Sequence, residues 1–291
     1  MSRMGDVLAG IHAAWEFDTD SVLIRFERGI RTPKLFQALG ERRIPHEALA
    51  AVTLAPGKRG TVVLHAVPRP GADPLMEAAA GQLKESFDPY RLVLPAERET
   101  LAEYYADELR AVLPSEAGSP ADRFLVPAPS APQHFKAYDG KASFDGSQVS
   151  FRWFWTGASS AKWKAGDQSF PVSALSGVEW RSPDVFDGYL RLVRRDGSGA
   201  GTAPQPAQAD QDPAAVVFGL GYGPVHESLP FAAAVLRAVR DRGPALPVAS
   251  ATRRAPADIA ERIRHLGELH GAGLLTDEEF SAKKAELLAE L

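Results

Sequence analysis

The chain has 291 residues, 45% hydrophobic and 24% charged, with a net charge of −4 and no cysteine. That length holds two domains and an appendage of ordinary globular composition. The missing cysteines exclude disulfides, thiol catalysis and thiolate-bound zinc, and the charge balance gives no global attraction to nucleic acid or an anionic membrane.

The opening residues, Met1 to Asp6, lack the apolar core of a signal peptide, and no apolar run is long enough to cross a bilayer. A cytoplasmic chain is the expectation, with any membrane contact peripheral. Residues 8–113 then read as one domain. Strands are expected near Ala13–Phe17, Val22–Phe26, Arg42–Pro45, Leu49–Leu54, Thr61–Ala66 and Tyr90–Leu94. A short helical stretch is expected around Leu75–Lys84. A closing helix follows over Ala96–Leu113, with Leu101, Tyr104, Tyr105, Leu109 and Val112 on its apolar side. Several strands followed by one amphipathic helix imply a small bent sheet or barrel whose open end the helix covers.

A Pro-rich linker over residues 114–133 separates this domain from a second at 134–242. The second repeats the first in order. Val22–Phe26 aligns with Val149–Trp153, Gly40 and Pro45 with Gly166 and Pro171, and Leu49 and Val52 with Leu175 and Val178. Gly60 aligns with Gly188. Asp88-Pro89 opens a strand at Tyr90–Leu94 just as Asp212-Pro213 opens one at Ala214–Phe218, and a helix over Glu227–Arg240 closes the copy. The stretch 197–211 has no large apolar residue and is expected to be a disordered loop. A further linker spans 243–256.

Residues 257–291 read as a two-helix hairpin. Asp258 caps the first helix with Glu261 at the capping-box position, and Ile259, Ile263, Leu266 and Leu269 share one stripe. Gly271 and Gly273 stop it, Leu275 lies in the turn, and Thr276 with Glu279 opens the second helix, whose apolar residues include Phe280, Leu287 and Leu288. Eight acids against four bases make residues 258–291 as negative as the whole chain. So short a hairpin buries too little apolar surface to fold alone, so its stripes are expected to associate with a copy of themselves or another protein.

Two resemblances follow from these residues. Gly273-Leu274-Leu275-Thr276-Asp277-Glu278-Glu279-Phe280, completed by Lys283, Lys284 and Leu287-Leu288, resembles the short C-terminal (SHOCT) domain. Gly40-Glu41-Arg42-Arg43-Ile44-Pro45, with a degenerate partner at Gly166 to Pro171, resembles an actinobacterial domain of unknown function (domain of unknown function 4429) that occurs in tandem ahead of such tails. That domain is taken as similar to the pleckstrin-homology barrel. The resemblance implies two tandem pleckstrin-homology-like β-barrels, each closed by a C-terminal helix, with a helical hairpin behind them; it implies assembly and no chemistry.

Three surfaces stand out as candidate sites. Arg25, Arg28, Arg31, Lys34, Arg42 and Arg43 crowd the first copy, countered only by Glu27 and Glu41, and could hold an anionic ligand or phospholipid head group. In Phe151-Arg152-Trp153-Phe154-Trp155, alternation turns Phe151, Trp153 and Trp155 inward, with Trp163 and Trp180 beside them, and leaves Phe154 outward for an interdomain or partner contact. Gly219-Leu220-Gly221-Tyr222-Gly223 follows a strand and precedes a helix, but its spacing is not the dinucleotide fingerprint, and a structural turn is the better reading. The histidine spacings match no metal site, and the hydrolase, phosphate-loop and zinc-protease motifs are absent. The expectation is a non-catalytic, cofactor-free adaptor that forms a homo-oligomer or docks a protein partner through its tail; the runner-up is anion binding by the first copy.

Overall fold

The structure, a computed structural model, describes residues 6–185, 187–195 and 208–242, which form one compact unit. The hairpin expected over 257–291 and most of the 197–211 loop lie outside the described residues. Of that loop, 208–211 forms a turn in which the Gln211 N–H donates to the Gln208 carbonyl at 2.8 Å.

The first repeat contains β1 (Asp6–Ala9), β2 (Ala13–Phe17), β3 (Ser21–Phe26), α1 (Lys34–Leu39), β4 (Glu41–Pro45), β5 (Leu49–Pro56), β6 (Thr61–Pro68), α2 (Pro74–Ala79), β7 (Arg91–Pro95) and α3 (Glu99–Ala111). The second contains β8 (Gln133–Lys136), β9 (Gly140–Phe144), β10 (Gln148–Trp153), α4 (Ser160–Ala165), β11 (Gln168–Pro171), β12 (Leu175–Arg181), β13 (Tyr189–Arg194), β14 (Ala215–Val217) and α5 (Val225–Asp241). Each repeat thus has a four-stranded antiparallel sheet and a three-stranded one. β1, β8, α1 and α4 are absent from the sequence expectation because they are short and lack a clear apolar period.

The expected barrels do not close. β4 ends at Pro45 and β11 at Pro171, each leading into one turn of 3-10 helix, and the next strand starts a separate sheet. A proline at the corner has no N–H to extend a ladder. The two sheets of a repeat stack instead. In the first, Leu8, Trp15, Ile24 and Ile44 of one sheet bury against Val52, Leu64, Leu92 and Leu94 of the other.

Equivalent hydrogen bonds recur through both repeats. Gly10 N–H donates to the Ala13 carbonyl at 2.9 Å and Ala137 N–H to Gly140 at 2.8 Å; Ala66 N–H to Tyr90 at 3.0 Å and Leu192 N–H to Ala214 at 2.8 Å. Asp88 and Asp212 have the same job: each carboxylate accepts the N–H two residues on, at 2.9 and 2.8 Å, and so sets the start of β7 or β14.

The closing helices differ. On α3 the buried residues are Ala102, Tyr105, Ala106 and Leu109, while Leu101, Tyr104 and Val112 of the expected stripe are exposed. The small Ala102 and Ala106 let the helix sit close on its sheet, rotating the buried face away from the bulkier side chains. Helix α5 is covered on two sides. It packs on β8 and β12 of its own repeat and on α1 and α2 of the first, so Leu35, Leu75, Ala78 and Ala79 join the second repeat's core. Its Ala232-Ala233-Ala234 run, buried throughout, admits those helices at close range. The segment 114–133, expected as a linker, is also anchored: Val126 is fully buried, and Leu125 N–H donates to the Ala72 carbonyl at 2.8 Å.

Candidate functional site

Antiparallel strand order sends four connections of each repeat to one end. In the second repeat they are residues 137–139, 154–167, 182–188 and 218–224. Tyr138 N–H donates to Val217 O at 2.9 Å and Phe218 N–H to Gly188 O at 2.8 Å, which ties these connections together. Against this end lies α1 of the first repeat. Between them is a cleft of about 680 Å³, lined by Lys34, Leu35 and Phe87 of the first repeat and by residues 183–185, 187–188, 217–222 and 224–226 of the second.

The glycine-rich segment forms one wall as a tight turn. Gly219 and Tyr222 bond to each other across it, and Gly221 and Gly223 adopt positive φ of 79° and 65°. A Cβ at Gly223 would also come within 2.2 Å of Phe218. These requirements account for the glycines without a nucleotide. Leu220, at the turn's apex, is fully exposed among the described residues. Lys34 stands exposed at the opposite rim. Burial lowers the pKa of His226 in the cleft, with Glu227 opposing and the Lys34 charge adding to the shift.

The basic cluster divides on folding. Arg42 is buried; its Nε donates to Tyr90 Oη at 3.0 Å and its Nη2 to Asp73 Oδ1 at 2.8 Å, and Tyr90 Oη donates to the other Asp73 oxygen. Burial opposes the guanidinium charge, but Asp73 and Tyr90 outweigh it and its pKa rises. Arg43 pairs with Asp18, and Arg25 with Glu16 at 3.3 Å. Arg28, Arg31 and Lys34 have no ion pair among the described residues and lie on or beside the 27–33 loop.

The aromatic run divides too. β10 stops at Trp153, so alternation stops with it: Phe151 and Trp153 are buried, but Trp155 is 77% exposed, a correction to its expected inward position. Trp155 packs edge-on against exposed Trp163 of α4, centroids 5.2 Å apart, while Trp180 is buried in β12 with its Nε1 donating to Ser228 Oγ at 3.0 Å. Phe154, partly buried, begins the turn after β10. Packing between the repeats runs through α1, α2 and α5 instead. Gln82 reinforces it by donating to Trp180 O and accepting from Ser182 N–H, both at 3.0 Å, and Lys84 pairs with Asp184 at 3.1 Å.

Sequence reasoning missed a second buried ion pair. Lys162 Nζ donates to Asp139, lies 5.0 Å from the Trp153 ring centroid, and leaves Asp139 Oδ1 to accept Val217 N–H at 3.0 Å. The position corresponds to Phe36 in the first repeat, which stacks on Phe26 at 4.6 Å. With α4 absent from the sequence expectation, nothing in the sequence marked Lys162 as an inward residue.

Residues 15–110 and 142–236 match the family described as Domain of unknown function (DUF4429), together well over half of the chain, and residues 261–288 match the Short C-terminal domain (SHOCT). The chain belongs to the DUF4429 family. No curated protein matches it. Each DUF4429 match lies within one repeat and stops inside its closing helix. The cleft therefore lies between two DUF4429 repeats. The tail residues Ile259, Ile263, Leu266, Leu269, Leu275, Phe280, Leu287 and Leu288 lie outside the described residues. Among the described residues no cluster of His, Asp or Glu is arranged to hold a metal ion, and no helix is long and apolar enough to cross a membrane.

Proposed function

We propose that this DUF4429 protein is a non-catalytic adaptor in which the paired repeats form a rigid body and the SHOCT segment carries self-association. The observation behind the rigid body is the shared core: α1 and α2 of the first repeat bury Leu35, Leu75, Ala78 and Ala79 against α5 of the second. Buried charges support the same reading. Arg42 and Lys162 are each locked to a carboxylate inside a repeat and serve packing, whereas a catalytic pair would open on the cleft. We read each repeat as pleckstrin-homology-like, because it is a four-strand sheet stacked on a three-strand sheet with one helix behind. Light scattering after chromatography tests the adaptor reading on the full chain. An oligomer that Leu266→Asp/Leu287→Asp converts to monomer supports it; equal monomeric mass for both proteins refutes it.

The runner-up, an anionic head group bound by the first repeat, keeps Arg28, Arg31 and Lys34 of its six candidate cations without an ion pair among the described residues.

A further inference from the structure

The second repeat carries a feature that the first lacks and that its own core does not use. Between β7 and α3 the chain needs only Ala96–Arg98, whereas between β14 and α5 it runs through 218–224 and forms the glycine turn. Leu220 projects from that turn, fully exposed among the described residues, and Tyr138, Val185 and Tyr222 are each roughly half exposed. Isolated apolar side chains on a surface need no explanation, but a contiguous group does. The Tyr138 and Tyr222 rings lie 6.3 Å apart, a Cβ at Gly219 would come within 3.0 Å of Tyr138, and Val185, Leu220 and Tyr222 line one cleft.

A knob and a hollow therefore share one face. The hollow is the cleft of about 680 Å³, with Leu35, Phe87 and Val225 in its apolar lining. It is larger than one leucine side chain and has room for a turn. Leu220 stands on its lip, and that position decides the symmetry. When a projection borders the hollow it fits, a two-fold axis through the lip seats each copy's projection in the other's hollow at once. A projection remote from its hollow would build an open chain instead.

Charge agrees with a second copy as the occupant. The first-repeat wall carries Lys34 and the second-repeat wall carries Asp187, both exposed and without an ion pair among the described residues. The other charged groups of the lining have partners, Asp184 in Lys84 at 3.1 Å and His226 in Glu227 at 3.8 Å. Lys34 and Lys84 thus stand against Asp184, Asp187 and Glu227, close to balance. Entry of a second copy's turn brings its Asp187 toward Lys34, because the Phe218 N–H bond to the Gly188 carbonyl, at 2.8 Å, ties 187–188 to the turn. The same pair forms again across the axis. One free charge of each sign makes the face complementary to itself, whereas a surface of single sign would repel its copy.

The turn is also fixed before any contact. Gly221 and Gly223 hold positive φ, and the Gly223 N–H donates to the Lys136 carbonyl at 2.7 Å. Little ordering entropy is then lost on docking.

We infer that two copies associate through this face about a two-fold axis, each seating Leu220 and Tyr222 in the other's cleft, with Lys34 on the partner's Asp187. One turn per copy makes a small contact, half-formed by itself at about 100 µM protein. This goes beyond the adaptor reading and does not rest on it, because it uses no residue of the tail. Where the tails also associate, they reinforce it by raising the effective concentration of the bodies.

Sedimentation equilibrium of the full chain carrying Leu266→Asp/Leu287→Asp separates this face from the tail. That protein is expected to be monomeric at the few µM of a chromatography run and to become dimeric as it approaches about 1 mM. Adding Leu220→Asp is expected to raise the dissociation constant at least about 10-fold, and adding Lys34→Asp about 3-fold. Leu220→Met should leave it nearly unchanged. Circular dichroism should not change in any of these, because Leu220 and Lys34 are exposed. A monomer up to about 1 mM overturns the inference, as does a dimer that Leu220→Asp leaves intact. Growth beyond twice the monomer mass overturns the two-fold contact. Each of these failures leaves tail-driven association standing, because the chain with an intact tail and Leu220→Asp would still associate.

Discussion

Lys162 stands in the second repeat where Phe36 stands in the first, so an ammonium on Asp139 fills the place of a phenyl ring. The two repeats keep one backbone with different solutions at this point: Phe36 stacks on Phe26, and Lys162 lies over Trp153 while bonding Asp139. Asp139 also accepts from Val217 N–H, so the pair connects α4, the β8–β9 turn and β14. Burial raises the Asp139 pKa and lowers that of Lys162, each opposed by the partner's charge.

Removing one member leaves the other charge buried alone. Lys162→Met should therefore destabilise the protein by about 3–5 kcal/mol. Lys162→Met/Asp139→Asn should recover at least about 1 kcal/mol of that loss, because the neutral amide keeps the Val217 bond without an unpaired charge. Urea midpoints of the two variants and the wild type measure both values.

The Arg42 network predicts a contrast within the basic cluster. Arg42→Met leaves Asp73 unpaired in the core and should cost about 3–5 kcal/mol, while Tyr90→Phe removes the hydroxyl between them and should cost about 1–3 kcal/mol. Arg28→Glu/Arg31→Glu, on the exposed loop, should stay within about 0.5 kcal/mol of wild type. Equal losses in all three would mean that the cluster is not divided between core and surface.

Gln82 joins the repeats by bonding both Trp180 O and Ser182 N–H of the second. Gln82→Ala should cost about 1–3 kcal/mol by leaving these groups unmatched. The shared α5 core should still keep unfolding to one transition, seen at the same midpoint by tryptophan fluorescence and circular dichroism. Two separated transitions in the wild type would show that the repeats fold independently.

Burial lowers the pKa values of His46 and His226, and His46 Nε2 is buried without a hydrogen-bond partner among the described residues. With folded pKa values below the unfolded one, the unfolded chain binds more protons in that window. Stability should therefore fall as pH drops below about 6.5 toward the folded values. His46→Gln/His226→Gln should flatten this slope in unfolding measured between about pH 7 and 5. Asp145, whose pKa is depressed by bonds from the Ser147 and Gln148 N–H groups and the Ser147 hydroxyl, acts in a separate window. Its contribution is present above the unfolded value and lost as pH falls below about 4, so Asp145→Asn should alter only that limb.

Much of the fold was legible in the chain, and the reasons are local. Asp88-Pro89 and Asp212-Pro213 mark strand starts because an aspartate side chain caps the N–H two residues on, which needs no distant partner. Gly40 and Gly166 recur because each ends a short helix at positive φ, 66° and 69°. Alternation read Phe151 and Trp153 correctly as core and failed at Trp155, two residues beyond the end of β10, where period two no longer applies. The candidate site was less legible. Leu220 sat in a segment read only as a turn, and Arg42 looked like its exposed neighbours.

By itself the sequence determined the duplication, the order of strands and closing helices, the positions of the turns and the family, all of which rest on spacing along the chain. Tertiary structure alone decided that the sheets stack without closing, that α5 joins the repeats into one core, and which cations find an ion-pair partner among the described residues. The physical reason is that burial and pairing depend on partners far away in sequence. Arg42 becomes a core residue because folding brings Asp73 and Tyr90 to it, and Arg28 and Arg31 remain surface charges because no such partners reach them among the described residues.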